Sequence, residues 1–207
     1  MKIYDISMNI HYDMAVYKNK EEKRPILKTV QNFSTGSAYE SKITMDMHTG
    51  THIDAPLHMI ESGKTIDTID LNNVVTKCKV LDLTNVNDKI TKKDLMDKNI
   101  QKGDFIIFKT KNSYQEEFDY NFVFLEKSGA EFLKEVEIIG VGIDSLGIER
   151  SQSGHETHKI LMEKGIIIIE GLRLKDIDED EYILCAPPLK INNAEAAPTR
   201  AILIKCY

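Results

Sequence analysis

Residues 48 to 58 read His48-Thr-Gly-Thr-His52-Ile-Asp54-Ala-Pro-Leu-His58, and no other stretch restricts the possible folds as tightly. Half of the six histidines lie here. In an extended chain successive side chains point to opposite faces, so His48, His52 and Asp54, all at even positions, would share one face. Upstream, Ile43, Met45 and Met47 alternate with Thr44, Asp46 and His48, a period of two that predicts a half-buried strand feeding the motif. Its apolar face would meet the core, and its imidazoles would face a cavity. Gly50 suits a close backbone approach or an unusual dihedral, and Pro56 ends any strand ladder before His58.

Two imidazoles and a carboxylate suit a borderline cation: zinc, or manganese or iron if more oxygens join. His58, just beyond this set, suits proton transfer, because a bound cation lowers the pKa of water to about 7. The plain alternative is a chance grouping of surface and core histidines. The combination of four such residues with Gly and Pro punctuation argues against it.

The motif resembles the HxGTHxDxPxH signature of the metal-dependent cyclase family, which includes bacterial kynurenine formamidases, isatin hydrolases and polyketide cyclase-like proteins. The resemblance spans nearly the whole chain and takes in Asp5-Ile6-Ser7, Gly142-Ile-Asp144, His158, Glu170-Gly-Leu172 and Pro198-Thr-Arg200. It implies a single α/β domain over residues 1–207, rich in strands and of the swivelling β/β/α type. It also implies one or two divalent ions per chain, zinc foremost and manganese next. His48, His52 and Asp54 would hold the first ion, and Asp54 would bridge to a second held by His158 and Glu170. His58 becomes the catalytic acid and base. The implied activity is hydrolysis of a small aromatic amide, foremost N-formylkynurenine to kynurenine and formate. A cyclic amide such as isatin and an inactive metal-binding protein are the alternatives. Family members form at least dimers, so a homodimer or higher homo-oligomer is expected.

The rest of the chain is compatible with this. At 207 residues and 23.6 kDa it can bury a real core. A net charge of -6 with interspersed signs leaves no basic patch for nucleic acid. Cys78, Cys185 and Cys206 are odd in number and widely spaced, which fits free thiols rather than a disulfide framework. No apolar run reaches the ~20 residues of a membrane span, and the first residues lack the apolar stretch of a signal peptide, so a cytoplasmic protein is expected.

Along the chain, residues 2 to 7 read as a strand and 8 to 36 as a long polar loop broken by Pro25 and Gly36. Loops of this length usually have a function. Related enzymes often place a proline and an aromatic residue here against the substrate. This chain has Tyr12, Tyr17 and Phe33 without that proline, and their alternative role is to pack the loop onto the sheet. Strands are expected at Lys77–Leu83, Phe105–Phe108 and Ile138–Ile143, with a capping-box helix at Thr91-Lys-Lys-Asp94 and a helix capped by Ser128. A further helix from Glu156 ends at Gly165, and four isoleucines then run into Glu170. An unpaired buried carboxylate there would cost several kcal/mol, so Glu170 either sits at a solvent edge or is held by a cation or hydrogen bonds. His155 reads as a pocket-edge or surface residue. Arg200 is either a substrate contact or an ordinary ion-pair arginine. Closing strands are expected at Tyr182–Cys185 and Ala201–Cys206.

Overall fold

The computed structural model describes residues 1 to 206. In chain order the strands and helices are β1 Lys2–Asp5, β2 Ile26–Gln31, β3 Glu40–Thr44, β4 His52–Asp54, β5 Val75–Asp82, β6 Lys89–Ile90, α1 Lys92–Leu95, β7 Phe105–Lys109, β8 Phe124–Leu125, α2 Lys127–Val136, β9 Gly140–Ile143, α3 Glu156–Glu163, β10 Ile167–Glu170, β11 Asp180–Cys185, β12 Ala196–Pro198 and β13 Ile202–Lys205. Nine strands form one mixed sheet in the order β1-β13-β11-β5-β7-β9-β10-β4-β12. Its centre, β5 to β10, is parallel, as expected where strands alternate with helices. The flanking strands are antiparallel. The fold is thus mixed α/β and rich in strands. Among the described residues no helix is long and apolar enough to cross a membrane.

Strand periodicity divides the core. In β7, Phe105 and Ile107 join one buried cluster, while Ile106 and Phe108 join the other. The second cluster also contains Leu95 of α1, Leu133 of α2 and Leu161 of α3, so the helices cover that face. The first draws on Ile53 and Ile169 near one edge of the sheet and on Leu184 and Leu203 near the other, because the sheet curls around it.

Register positions the site. In β10, Ile169 lies in the first cluster and Ile168 in the second, so parity puts Glu170 on the helical face with Ile168. In β4, Ile53 enters the first cluster, which sends His52 and Asp54 to the helical face as well. Antiparallel pairing sets Glu170 opposite His52 and Ile168 opposite Asp54. Helix α3 packs over the same face and ends as its sequence implies: Gly165 adopts a φ of +75°, and the Ile166 N–H turns back to the Leu161 carbonyl.

Three local expectations are corrected. Residues 43 to 48 are not a half-buried strand: β3 ends at Thr44, Ile43 is exposed, and His48 sits in a turn. The loop from 8 to 36 contains β2, which pairs with β3 in an exposed hairpin apart from the main sheet. Helix α2 is capped by Glu126, whose carboxylate accepts the Ser128 N–H, and not by Ser128 itself. The capping box of α1 at Thr91 and Asp94 is present.

Candidate active site

The sheet and α3 bring the motif residues to one buried cluster. Asp54 divides its two oxygens. Oδ1 lies 2.9 Å from His48 Nδ1 and 3.4 Å from His52 Nε2, while Oδ2 lies 3.5 Å from His158 Nε2. Glu170 does the same one strand away, with Oε2 3.4 Å from His52 Nε2 and Oε1 3.4 Å from His158 Nε2. Both carboxylates therefore lie between the same two imidazoles. The parity argument accounts for His52 and Asp54, but His48 arrives from the turn before β4.

His52 and His158 each have an oxygen behind the ring. His52 Nδ1 is 2.8 Å from the carbonyl of Gly50, which leaves Nε2 toward the carboxylates. His158 Nδ1 lies 3.2 Å from Glu149 Oε1. Glu170 is fully engaged, since Oε1 also accepts the Ile148 N–H at 2.6 Å, so the solvent-edge reading of this carboxylate is overturned. His58 ends a short 3-10 turn at Pro56–His58, and its ring centre lies 4.2 Å from that of His48, tilted by 42°, and 5.6 Å from that of His158.

Electrostatically the cluster is a set of buried charges that hold one another. Burial pushes the His52 imidazole down, but Asp54 and Glu170 outweigh it and raise its pKa to about 10. Burial likewise opposes protonation of His158, and Asp54, Glu149 and Glu170 raise it well above the usual histidine value. Burial works against the Asp54 carboxylate, yet His158, His48 and His52 hold it well below the usual range. For Glu170, burial and Asp54 raise the pKa while His158 and His52 bring it to about 2. His58 differs: burial leaves it below its ordinary pKa, a neutral base at pH 7.

Protons on these imidazoles stand where a cation fits. His52 Nε2 and both Asp54 oxygens are buried without a hydrogen-bond partner, although they face one another. Such orphaned donor atoms are unusual in a protein interior. The donors of His52, Asp54 and Glu170 lie within 4.8 Å of one another, as do those of His48, Asp54 and His58. Nitrogen and carboxylate donors in this arrangement fit a divalent ion such as zinc or manganese.

One residue of the cluster was not anticipated. Glu149 is buried, and its Oε2 accepts the backbone N–H groups of Thr157 and His158 at the start of α3. Its Oε1 meets His155 Nδ1 at 2.6 Å. His155, at the cap position, has a left-handed φ of 53° and makes no side-chain cap of its own. Glu149 thus caps the helix and also places a carboxylate behind the His158 ring, whose Nδ1 makes no hydrogen bond. A sequence signal existed: the helix has no Ser, Thr, Asp or Asn at its cap position, so its first N–H groups needed a partner from elsewhere.

Beside the cluster opens a cleft of about 320 Å³, walled by Tyr17, Met59, Leu146 and Gly147 and reaching His48, His58, His158 and Glu170. That volume is at the lower end for small-molecule sites. Of the three loop aromatics expected at a substrate slot, only Tyr17 lines it. Tyr12 is 53% exposed and turns its hydroxyl to Glu21, and Phe33 is 77% exposed on the hairpin. Arg200 is not brought to the cleft either. It forks onto Asp5 Oδ2 at 3.1 and 2.7 Å and lines a separate depression with Ser7 and Thr199, the ordinary ion-pair alternative.

The family model for Cyclase matches residues 4–150, which contain the whole 48-to-58 motif. The chain belongs to the Cyclase family. Among family relatives, "Cyclase-like protein 3" of Arabidopsis thaliana is 33% identical over 99% of this chain and 80% of its own length. A kynurenine formamidase of Bacillus cereus is 32% identical over 82% of this chain and 81% of its own. A solved structure described as a potential metal-dependent hydrolase with cyclase activity superposes with a TM-score of 0.92 at 53% identity, covering 98% of this chain and 96% of the other. Isatin hydrolase A of Labrenzia aggregata shares the Cyclase fold, with a TM-score of 0.85 at 22% identity over 98% of this chain and 93% of its own.

Proposed function

We propose that this protein is a metal-dependent amide hydrolase acting on aryl formamides, with N-formylkynurenine, cleaved to kynurenine and formate, as the leading substrate. The observation that carries the reading is the shared position of Asp54 and Glu170, each with one oxygen toward His52 and the other toward His158, beside a cleft of aromatic-ligand size. The kynurenine formamidase relative from Bacillus cereus supports the choice of substrate.

His48, His52 and Asp54 would hold one divalent cation and His158 and Glu170 a second, with Asp54 common to both. A cation so held lowers the pKa of water and polarises a carbonyl oxygen. The protein's own part is to place and move protons. His58, half-buried and neutral, accepts the proton of the water that adds to the formyl carbon. It then returns that proton to the amine nitrogen as the C–N bond breaks, so that a neutral arylamine and formic acid leave, the acid giving its remaining proton to solvent to become formate. Glu149 sets a negative charge 3.2 Å behind His158 Nδ1, while Nε2 faces the carboxylates. The face of Tyr17, steadied edge-on by Phe118 at 5.3 Å, offers a wall for a flat ring.

A homo-oligomer belongs to the same proposal. The β2–β3 hairpin exposes Ile26, Leu27, Val30, Phe33 and Ile43, an apolar surface suited to a second copy of this chain.

The deciding experiment compares kcat/KM for N-formylkynurenine and isatin with protein reconstituted with zinc or manganese. The formamide is expected to be the better substrate. Isatin turned over more than about tenfold faster, a difference of ~1.4 kcal/mol in transition-state binding, would replace the formamidase reading with a lactam hydrolase.

A further inference from the structure

The cleft that reaches His48, His58 and His158 is also lined by Lys18, Lys20 and Lys23, three cations in a chain whose net charge is -6. Their partners divide them. Lys23 is committed to Asp46 at 2.8 Å. Lys20 has only a solvent-exposed contact with Glu22 at 3.8 Å, a pairing worth little. Lys18 lies 5.3 Å over the ring of Tyr17, which itself walls the cleft, and has no carboxylate partner among the described residues. Of the other acids in this loop, Glu21 is taken up by Tyr12 and Arg24. Lys18 and Lys20 thus bring positive charge without a close buried partner to a cleft that Glu149 and Glu170 also line.

The backbone here is held in an uncommon form. Lys18 and Asn19 are consecutive non-glycine residues at φ 59° and 51°. Left-handed residues of this kind are unfavourable for non-glycine side chains and persist where the surroundings impose them. Two contacts impose them: the Tyr120 hydroxyl donates to the Lys18 carbonyl at 3.0 Å, and the Asn19 N–H donates to Val16 at 2.9 Å. Tyr17 is anchored next door by Phe118, which packs edge-on against Tyr120. A strained turn pinned from outside so that a lysine lies on the cleft is a pre-organised site for an anion. A cleft also concentrates the field of the charges that line it.

Resting on the amide-hydrolase reading above, we infer that Lys18 and Lys20 select substrates carrying a carboxylate remote from the scissile amide, with Lys18 as the principal contact. The substrate class is then an acidic aryl amide. A neutral lactam makes no use of these cations.

The test uses the full-length metal-loaded protein and the K18Q/K20Q and K18R/K20R variants. The substrates are 4-formamidobenzoate and its neutral counterpart formanilide. In the parent the acid is preferred, and K18Q/K20Q reduces the ratio of the two kcat/KM values about tenfold, mainly through KM for the acid. K18R/K20R retains the preference, because charge rather than lysine shape is what the carboxylate meets. Raising salt from about 50 mM to about 500 mM erodes the preference in the parent and not in the glutamine variant. A ratio unchanged by K18Q/K20Q overturns the inference and leaves the hydrolase reading intact. Absence of turnover of either formamide in every form overturns the aryl-formamide reading instead. Calorimetry with 4-aminobenzoate then decides the inference alone: about tenfold weaker binding by K18Q/K20Q sustains it, and equal binding, as when His48 and His52 take the carboxylate through the metal, overturns it.

Discussion

The carboxylate of Glu149 lies 3.2 Å from His158 Nδ1, on the opposite side of the ring from Asp54 and Glu170, which meet Nε2 at 3.5 and 3.4 Å. A carboxylate behind a ligating histidine fixes its ring and tautomer, and loss of such a partner typically costs about 10- to 100-fold in metal affinity. Glu149→Gln keeps the acceptor for the N–H groups of Thr157 and His158 but removes the charge behind the ring. We expect metal titration to show the affinity of the His158 side falling within that range while the fold survives. Glu149→Ala also uncaps α3 and should lower Tm further. Unchanged metal affinity in Glu149→Gln would make Glu149 a helix cap and nothing more.

Metal binding and protonation compete in this cluster. At pH 7 the metal-free His52, with its pKa raised to about 10, carries a proton that a cation must displace. Binding should therefore release at least about one proton per chain at pH 7, read by calorimetry in buffers of different ionisation enthalpy. The same shifts set the stability of the metal-free protein. The contribution of His52 is complete below its ordinary pKa of 6.5 and is lost as pH rises through about 10. That of Glu170 is complete above its ordinary 4.5 and is lost as pH falls through about 2. Both come from one set of charge contacts, so the metal-free Tm should plateau between these ordinary values and fall on either side. Proton-neutral metal binding at pH 7 would overturn this picture.

His58 differs from its neighbours in role, and substitution separates them. His48→Ala or His52→Ala removes an imidazole that meets Asp54, and elemental analysis should show lost metal. His58→Ala should keep the metal and lose about 10²- to 10⁴-fold in kcat, the usual worth of a positioned acid or base. Its donor atom is within 4.8 Å of those of His48 and Asp54, so the geometry also allows ligation. Metal lost from His58→Ala would make it a ligand, and a rate within about threefold of the parent would remove it from the mechanism.

Much of this site was legible in the chain because strand parity is a strict rule. Even positions put His52 and Asp54 on one face, and a carboxylate after four isoleucines needed either a solvent edge or partners. The motif resemblance supplied His158, which no spacing rule connects to residue 52. What periodicity missed depends on tertiary context. Met45 and Met47 alternate like strand residues but lead into a turn, since β3 pairs only with β2 and has no core to join. Ser128 looked like a cap, yet Glu126 two residues earlier reaches its N–H. Tyr12 and Phe33 share a loop with Tyr17, but membership of a loop says nothing about the direction a side chain takes.

The residue after Glu170 gives the most stringent structural test. Gly171 has a φ of +71°, and a Cβ there would lie 2.5 Å from the carbonyl oxygen of Gly50 and 2.9 Å from its carbon. These are backbone atoms that cannot swing aside as a flexible side chain could. Gly50 is itself left-handed at φ +68°, and its carbonyl is the atom that holds His52 Nδ1. Thr51 locks the two segments together by donating its hydroxyl to the Gly171 carbonyl at 2.6 Å. Gly171→Ala would thus carry about 1–3 kcal/mol of backbone strain at its own position and push the segment that orients His52. The expected result is a folded protein with a lower Tm and reduced metal content, although no ligand has been changed. The control is Gly154→Ala, also at positive φ but with nothing within 4 Å of the added Cβ, which should lower Tm through strain alone and retain its metal. Equal metal content in the two variants would show that the Gly50 carbonyl does not set the ring of His52.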